Sequence, residues 1–157
     1  MLGELQGHVN RHGGGSNYLC LPNEPQYTLS YTPGSQRYNE IHGAKYKVPV
    51  VGTSNHNVPC AVCYASTRVA SLMIPARTSC PTGWTREYYG YLMSEASRWN
   101  DHYRTSFECV DKDQDSAPGN PIGTDGVLFY NVEASCNGIG CPPYNNYKEL
   151  NCAVCTK

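Results

Sequence analysis

The chain has little charge for its size. Lys, Arg, Asp and Glu make up 16% of its 157 residues, and 12 basic against 13 acidic side chains leave a net charge of −1. A protein that holds nucleic acid by neutralising phosphates carries a basic excess or stripe, and this chain has neither. It also lacks any apolar run near the roughly 20 residues that span a bilayer, so membrane insertion is not expected. Phe and Trp occur only twice each; the aromatic content rests on 13 Tyr, whose hydroxyl suits wet surfaces and half-buried strands. The Asn residues include no Asn-x-Ser/Thr acceptor, which argues against N-glycosylation. Met1-Leu2-Gly3-Glu4 has neither the basic start nor the apolar run of a secretory leader, so the chain reads as a mature or recombinant form.

Cysteine, glycine and proline are plentiful instead. Nine Cys in so short a chain point to cross-linking in an oxidising compartment, and hence to a secreted, extracellular protein. With 15 Gly and 11 Pro the chain is punctuated by turns throughout. Nine thiols allow at most four internal bridges, and the leftover is either free or a link to a second chain.

The cysteines also reveal an internal repeat. Cys60-Ala61-Val62-Cys63 recurs letter for letter as Cys152-Ala153-Val154-Cys155. Upstream of the first copy stands Tyr18-Leu19-Cys20-Leu21, and upstream of the second Phe107-Glu108-Cys109-Val110, each followed by acidic residues. Cys20 precedes Cys60 by 40 positions and Cys109 precedes Cys152 by 43, so two markers recur in one order at nearly one offset. The pattern reads as a tandem duplication of about 90 residues within a single domain, 1–157. Repeat unit one covers 1–63 and repeat unit two 64–157. Stepping back one period from Cys80-Pro81-Thr82-Gly83-Trp84 leads to a place before residue 1, so unit one is short at its start and one cysteine lacks its counterpart.

Local patterning favours strands. Tyr46–Val51, Val58–Tyr64, Val69–Ile74 and Val127–Val132 are short β-rich or apolar runs bounded by Gly, Pro or polar turns. Only Leu92–Arg104 offers a helical window. The expected fold is all-β: a disulfide-rich, tandem-duplicated domain with pseudo-twofold symmetry.

Residues able to carry chemistry are few. Asp111, Asp113 and Asp115 alternate, so in an extended strand their carboxylates share one face and repel unless solvated or neutralised by a cation. Clustered hard oxygens suit Ca²⁺, and Asp125 and Glu133 could complete a shell; the other reading is a solvated acidic loop with Asx turns. The glycine and terminal glutamate of an EF-hand loop are missing. In unit one the matching place holds Asn23 and Glu24 between Pro22 and Pro25, with Gln26 next, which either chelate Ca²⁺ and a sugar's hydroxyls together or merely form a rigid turn. Trp99, His102 and Tyr103 offer an aromatic platform for a sugar's apolar face, or else a partly buried cluster. The gap between the two Cys-x-x-Cys motifs is too long for a usual zinc site. No metalloprotease, nucleophile-elbow or phosphate-loop motif occurs, and an enzyme is not expected.

Together, Cys60-Ala61-Val62-Cys63, Ile74-Pro75, Cys80-Pro81-Thr82-Gly83-Trp84 and Tyr89-Gly90-Tyr91 resemble the C-terminal non-collagenous domain of type IV collagen. Gly13-Gly14-Gly15-Ser16-Asn17-Tyr18-Leu19-Cys20-Leu21-Pro22, Glu108-Cys109-Val110-Asp111 and Cys141-Pro142-Pro143-Tyr144 are similar to the same domain of invertebrate short-chain, spongin-like collagens. The likeness covers about residues 13–157, but there is no Gly-X-Y collagen stretch. Free-standing members of this group in marine invertebrates include calcium-dependent, galactose-binding lectins that form disulfide-linked dimers. The resemblance therefore implies a secreted lectin that binds glycans with terminal galactose through Ca²⁺ and associates as a homo-oligomer. The alternative it implies is a structural module that assembles an extracellular matrix protein.

Overall fold

The structure is a computed structural model and describes residues 2–5, 18–27, 41–47, 55–96, 103–117 and 126–157. Among the described residues there are nine strands and no helix, so the protein is all-β as expected. By internal contacts the chain forms two compact units. The first comprises Met1–Val62, Glu95–Thr105 and Asp115–Leu128; the second comprises Cys63–Ser94, Ser106–Gln114 and Phe129–Lys157.

The second unit is organised around one long strand, β6 (Thr85–Ser94). Its Tyr88, Tyr89 and Tyr91 are strong strand formers, and its burial deepens toward Leu92 and Met93. Along Thr85–Tyr91, β6 pairs antiparallel with β9 (Asn151–Thr156), with a register shift between Arg86 and Tyr88. Glu87 stands in that irregularity, where its carboxylate accepts the Thr156 hydroxyl. The other edge of β9 pairs with β5 (Ser71–Pro75), while Gly90–Met93 of β6 pairs with β7 (Glu108–Asp111). The end of β6 meets β8 (Leu128–Asn131) through Met93 and Ser94. As a central strand β9 is fully buried at Cys152, Ala153 and Cys155. Disulfides tie Cys152 to Cys109 of β7 and Cys155 to Cys80. Loops of this length remove on the order of 4 kcal/mol of unfolded-chain freedom per bridge. A further bridge, Cys136–Cys141, closes a short loop.

In the first unit β1 (Leu2–Leu5) is flanked antiparallel by β2 (Leu19–Cys20) and β3 (Ile41–Gly43). The registers repeat those around β6. Leu2 faces Cys20 as Leu92 faces Cys109, and Gly3 faces Leu19 as Met93 faces Glu108. On the other side Gly3 and Glu4 face Gly43 and His42 as Met93 and Ser94 face Asn131 and Tyr130. Cys20 bonds Cys60, the pairing that corresponds to Cys109–Cys152. Outside this sheet, β4 (Lys45–Tyr46) is held by the Lys45 N–H to the Val127 carbonyl at 2.9 Å and by bridges through Asn57 to Lys45 and Ala117. Buried Glu95 accepts the Ala96 N–H at 3.0 Å and the Leu128 N–H at 2.6 Å, so both of its carboxylate oxygens are engaged.

Two local expectations give way to tertiary structure. Leu92–Ser94, the start of the anticipated helix, finish β6. The Leu92 N–H bonds the Leu150 carbonyl, and its own carbonyl takes the Val132 N–H, so neighbouring chain segments outbid the local tendency. Glu95, Ala96 and 103–104 have no regular structure, and 97–102 lie outside the described residues. Val58–Tyr64 is likewise not a strand: residues 58–65 join no ladder, although four of them repeat β9 letter for letter. The expected runs at Val69–Ile74 and Val127–Val132 appear as β5 and β8. Of Tyr46–Val51, Tyr46 ends β4 and 48–51 lie outside the described residues.

The closest approach in the second unit is at Gly90. A Cβ there would stand 1.8 Å from the Val110 carbonyl oxygen and 2.6 Å from the Lys112 backbone nitrogen, because β7 lies directly against it. Gly90→Ala must push β7 away and is expected to cost about 3 kcal/mol, read as a lower urea midpoint. A change under about 0.5 kcal/mol contradicts this tight approach.

Candidate functional site

The acidic alternation does not form one face. Strand β7 ends at Asp111 and the chain bends at Lys112 and Asp113. The Asp113 N–H donates to Asp111 Oδ1 at 3.0 Å, which is an Asx turn, and the Asp113 carboxylate pairs with the Lys112 ammonium. That ion pair, with the nearby charge of Asp111, raises the Lys112 pKa. Asp111 and Asp113 belong to the second unit, whereas Asp115 belongs to the first. There Asp115 lies close enough to Tyr46 for its charge to be felt: burial, then Asp115, push the Tyr46 hydroxyl up to about 12. Asp125 lies outside the described residues, as do Trp99 and His102 of the expected aromatic platform; Tyr103 is exposed. Asn23, Glu24 and Gln26 follow β2 as an exposed bend. Among the described residues no three His, Cys, Asp or Glu side chains gather as a metal group.

Glu133 stands elsewhere, in a cleft of about 390 Å³ in the second unit lined by Tyr91, Glu133, Tyr147, Lys148, Glu149 and Asn151. The volume lies within the range of small-ligand sites. Its floor comes from the β6–β9 register, which sets Tyr91 opposite Asn151; the Asn151 amide is fixed by donating to the Gly90 carbonyl at 3.1 Å. Its wall is an antiparallel bridge between Glu133 and Glu149, flanked by Ala134 N–H to Lys148 O at 2.9 Å and Leu150 N–H to Val132 O at 2.9 Å. Tyr147 forms the rim. Its backbone is left-handed at φ 61°, which costs a non-glycine residue about 1–2 kcal/mol, and its N–H is held by the Ala134 carbonyl at 2.8 Å. The Cys136–Cys141 bridge and the Cys136 N–H to Asn146 Oδ1 bond at 3.0 Å brace the loop that leads to this rim.

The cleft offers two phenol rings, two carboxylates, an ammonium and an amide. That inventory recognises a hydroxylated ligand by hydrogen bonds in both directions and by its apolar face against a ring. The two glutamates face each other across strands, a like-charge arrangement that is unfavourable unless water or a cation screens it. Of the residues lining this cleft, sequence reasoning singled out Glu133 alone, and as part of a calcium shell with the aspartates. Tyr147, Lys148 and Glu149 were signalled only by the polar, Tyr- and Asn-rich run 144–149, and Tyr91, Asn151 and the pairing of Glu133 with Glu149 come together through long-range register.

A second polar cluster lies along β6 and β7. Tyr89 has the Arg86 guanidinium 4.7 Å and the Lys112 ammonium 5.7 Å from its ring centre. Tyr88 donates its hydroxyl to the Cys109 carbonyl at 3.0 Å, and burial, with the charges of Glu108, Asp111 and Cys63, raises its pKa. Half-buried Glu108 is raised by the same loss of solvent. Arg86 and Lys112 are thus both engaged by the Tyr89 ring, and Tyr88 is tied to β7.

No protein-family model matches the chain, and no solved structure matches it.

Tyr46 makes a pH-dependent contribution. The folded protein keeps its proton up to about 12, whereas the unfolded chain releases it near 10, so this contribution is complete below pH 10 and is lost as pH rises from 10 to 12. Urea midpoints at pH 9 and pH 11.5, measured in a Cys63→Ser background to prevent thiol exchange, are expected to fall less for Tyr46→Phe than for the parent. Equal falls contradict the assignment.

Proposed function

We propose that this is a secreted, non-enzymatic, Ca²⁺-dependent lectin for terminal galactose and β-galactosides, built as a duplicated domain of the short-chain collagen C-terminal kind. The observation that carries the reading is the tyrosine-walled, carboxylate-bearing cleft at Tyr91, Glu133, Tyr147, Lys148, Glu149 and Asn151. The strained Tyr147 rim adds support, since such backbone conformations concentrate at ligand sites. Four disulfides suit an extracellular setting, and no helix among the described residues is long and apolar enough to cross a membrane.

In this reading one ring carries the apolar face of the sugar while Lys148 and Asn151 donate to its hydroxyls. Glu133 and Glu149 are the carboxylates to hold Ca²⁺, which supplies coordination of vicinal hydroxyls and relieves their mutual repulsion. The repeated strand registers and the corresponding Cys20–Cys60 and Cys109–Cys152 bridges favour the duplication, and with it a second reading: a homo-oligomeric module that assembles matrix proteins.

Calorimetric titration of lactose in calcium, and again after chelation, separates these readings. The lectin reading predicts binding that chelation abolishes and that Tyr147→Ala weakens about tenfold, the effect of about 1.4 kcal/mol. Binding indifferent to chelation removes the calcium and keeps the sugar. Failure to bind any glycan, together with a stable trimer or hexamer in light scattering, leaves the matrix module.

A further inference from the structure

One edge of the sheet in the second unit is open. Strand β5 stands last in the strand order, with β9 on one side, and among the described residues nothing pairs with its other side. The register fixes which backbone groups face outward. Ala70 exchanges both of its hydrogen bonds with Lys157, and the Ala76 N–H bonds the Asn151 carbonyl, so the even-numbered residues of this run direct their backbone groups at β9. The N–H and C=O of Ser71 and Met73 and the carbonyl of Pro75 therefore point away from it. Pro75 has no N–H, and Ala76 is left-handed at φ 59°, which together close the edge at that end. The side chains are open as well: Leu72 is 42% exposed and Val69 97%, and Ser71 and Pro75 are exposed. The surroundings carry one sign of charge. From Cys63 through Arg86 the sequence holds Arg68, Arg77 and Arg86 and no Asp or Glu, and β9 holds none either. Arg68 and Arg77 stand just before and just after the open edge, and both are exposed.

We propose that the outer edge of β5 receives an extended acidic segment of another protein as a further antiparallel strand. The outward backbone groups of Ser71, Met73 and Pro75 supply the pairing, and affinity comes from main-chain hydrogen bonds as in other cases of strand addition. Alternate side chains of the incoming strand cover Leu72 on one face of the sheet and Met73 on the other, since neighbouring residues of a strand face opposite ways. Acidic residues toward its two ends meet Arg68 and Arg77, and these set which partner is accepted. Charge argues against a second copy of this chain as the occupant. Paired with itself about Met73, β5 brings Arg68 of each copy to within a residue of Arg77 of the other, and the run holds no acid to offset them. A free edge of this kind pairs with whatever strand fits it, so the arginines that bracket it act as its selector. This inference does not depend on the saccharide reading, whose cleft is built from β6, β9 and the segment between Glu133 and Glu149.

The test uses the full chain and a labelled synthetic peptide in which alternating valine and threonine are closed at each end by two glutamates. Its control has lysine in place of every glutamate. Fluorescence anisotropy is expected to show the glutamate peptide binding at least about tenfold more tightly than the lysine peptide, with the difference shrinking as salt is added. Site-resolved hydrogen exchange should slow at the amides of Ser71 and Met73, which face outward, and stay as it was at Leu72 and Ile74, which already bond β9. The exposed double change Arg68→Glu with Arg77→Glu leaves the fold intact and should reverse the preference between the two peptides. Ser71→Pro removes one outward donor at a position of the same parity as Pro75 and should weaken binding about fivefold, the worth of one such bond. Equal affinity for the two peptides, no binding of either at millimolar concentration, or unchanged exchange at Ser71 and Met73 overturns the proposal. Protection of those two amides that rises with protein concentration alone gives the edge to a second copy and overturns it as well.

Discussion

The second unit depends on the grip on β9. This short strand carries small and apolar side chains between two hydrogen-bonding neighbours, and a disulfide leaves it at each of its two cysteines. The backbone groups of Cys152–Cys155 are satisfied by β5 on one side and β6 on the other, so the strand can be buried without stranding polar atoms. The bridges to Cys80 and Cys109 add a constraint on the unfolded chain that a small sheet with few large apolar residues needs. The Gly90 position serves the same end. There the backbone of β7 lies close against β6, and Cys109 of β7 is bonded to Cys152 of β9, the residue that Gly90 faces.

The cleft is a consequence of that grip. With β6 and β9 in fixed register, Tyr91 and Asn151 stand opposite each other at the point where the pairing ends and the chain turns back toward Glu149. The Glu133–Glu149 bridge then completes a polar wall with two facing carboxylates. Two carboxylates placed opposite each other beside tyrosine rings and an amide are what a cation or a hydroxyl-rich ligand would meet there, and this is the physical core of the functional reading.

What could be read in advance followed from local chemistry. The all-β character was legible because Tyr, Val and Cys runs are cut at short intervals by Gly and Pro, and β5 and β8 were found within a residue or two. One cysteine without a partner followed from nine being odd and from the offset between the copies; the structure makes it Cys63. The longest strand, β6, was not legible: Thr85–Ser94 mixes charged, tyrosine and apolar residues without clean alternation, since its two ends have different neighbours and different depths. Its last residues were mistaken for the start of a helix. The acidic alternation was visible, but its grouping was not, because a bend at Lys112 and Asp113 changes the direction of the side chains. Most of the cleft escaped for a related reason: its residues lie on β6, on β9 and in the segments between, and only the register brings them together.

The repeated tetrapeptide shows most plainly that neighbours, rather than letters, decide structure here. One copy is the best-buried strand of the second unit, and the other lies open with no ladder at all. Site-resolved hydrogen exchange on the unmodified protein compares them directly. The account predicts that the amides of Ala153, Val154 and Cys155 exchange slower than those of Ala61, Val62 and Cys63 by several powers of ten, since only the former need the sheet to open before they exchange. Equal protection in the two copies contradicts it, because the first copy would then have partners that the account denies it.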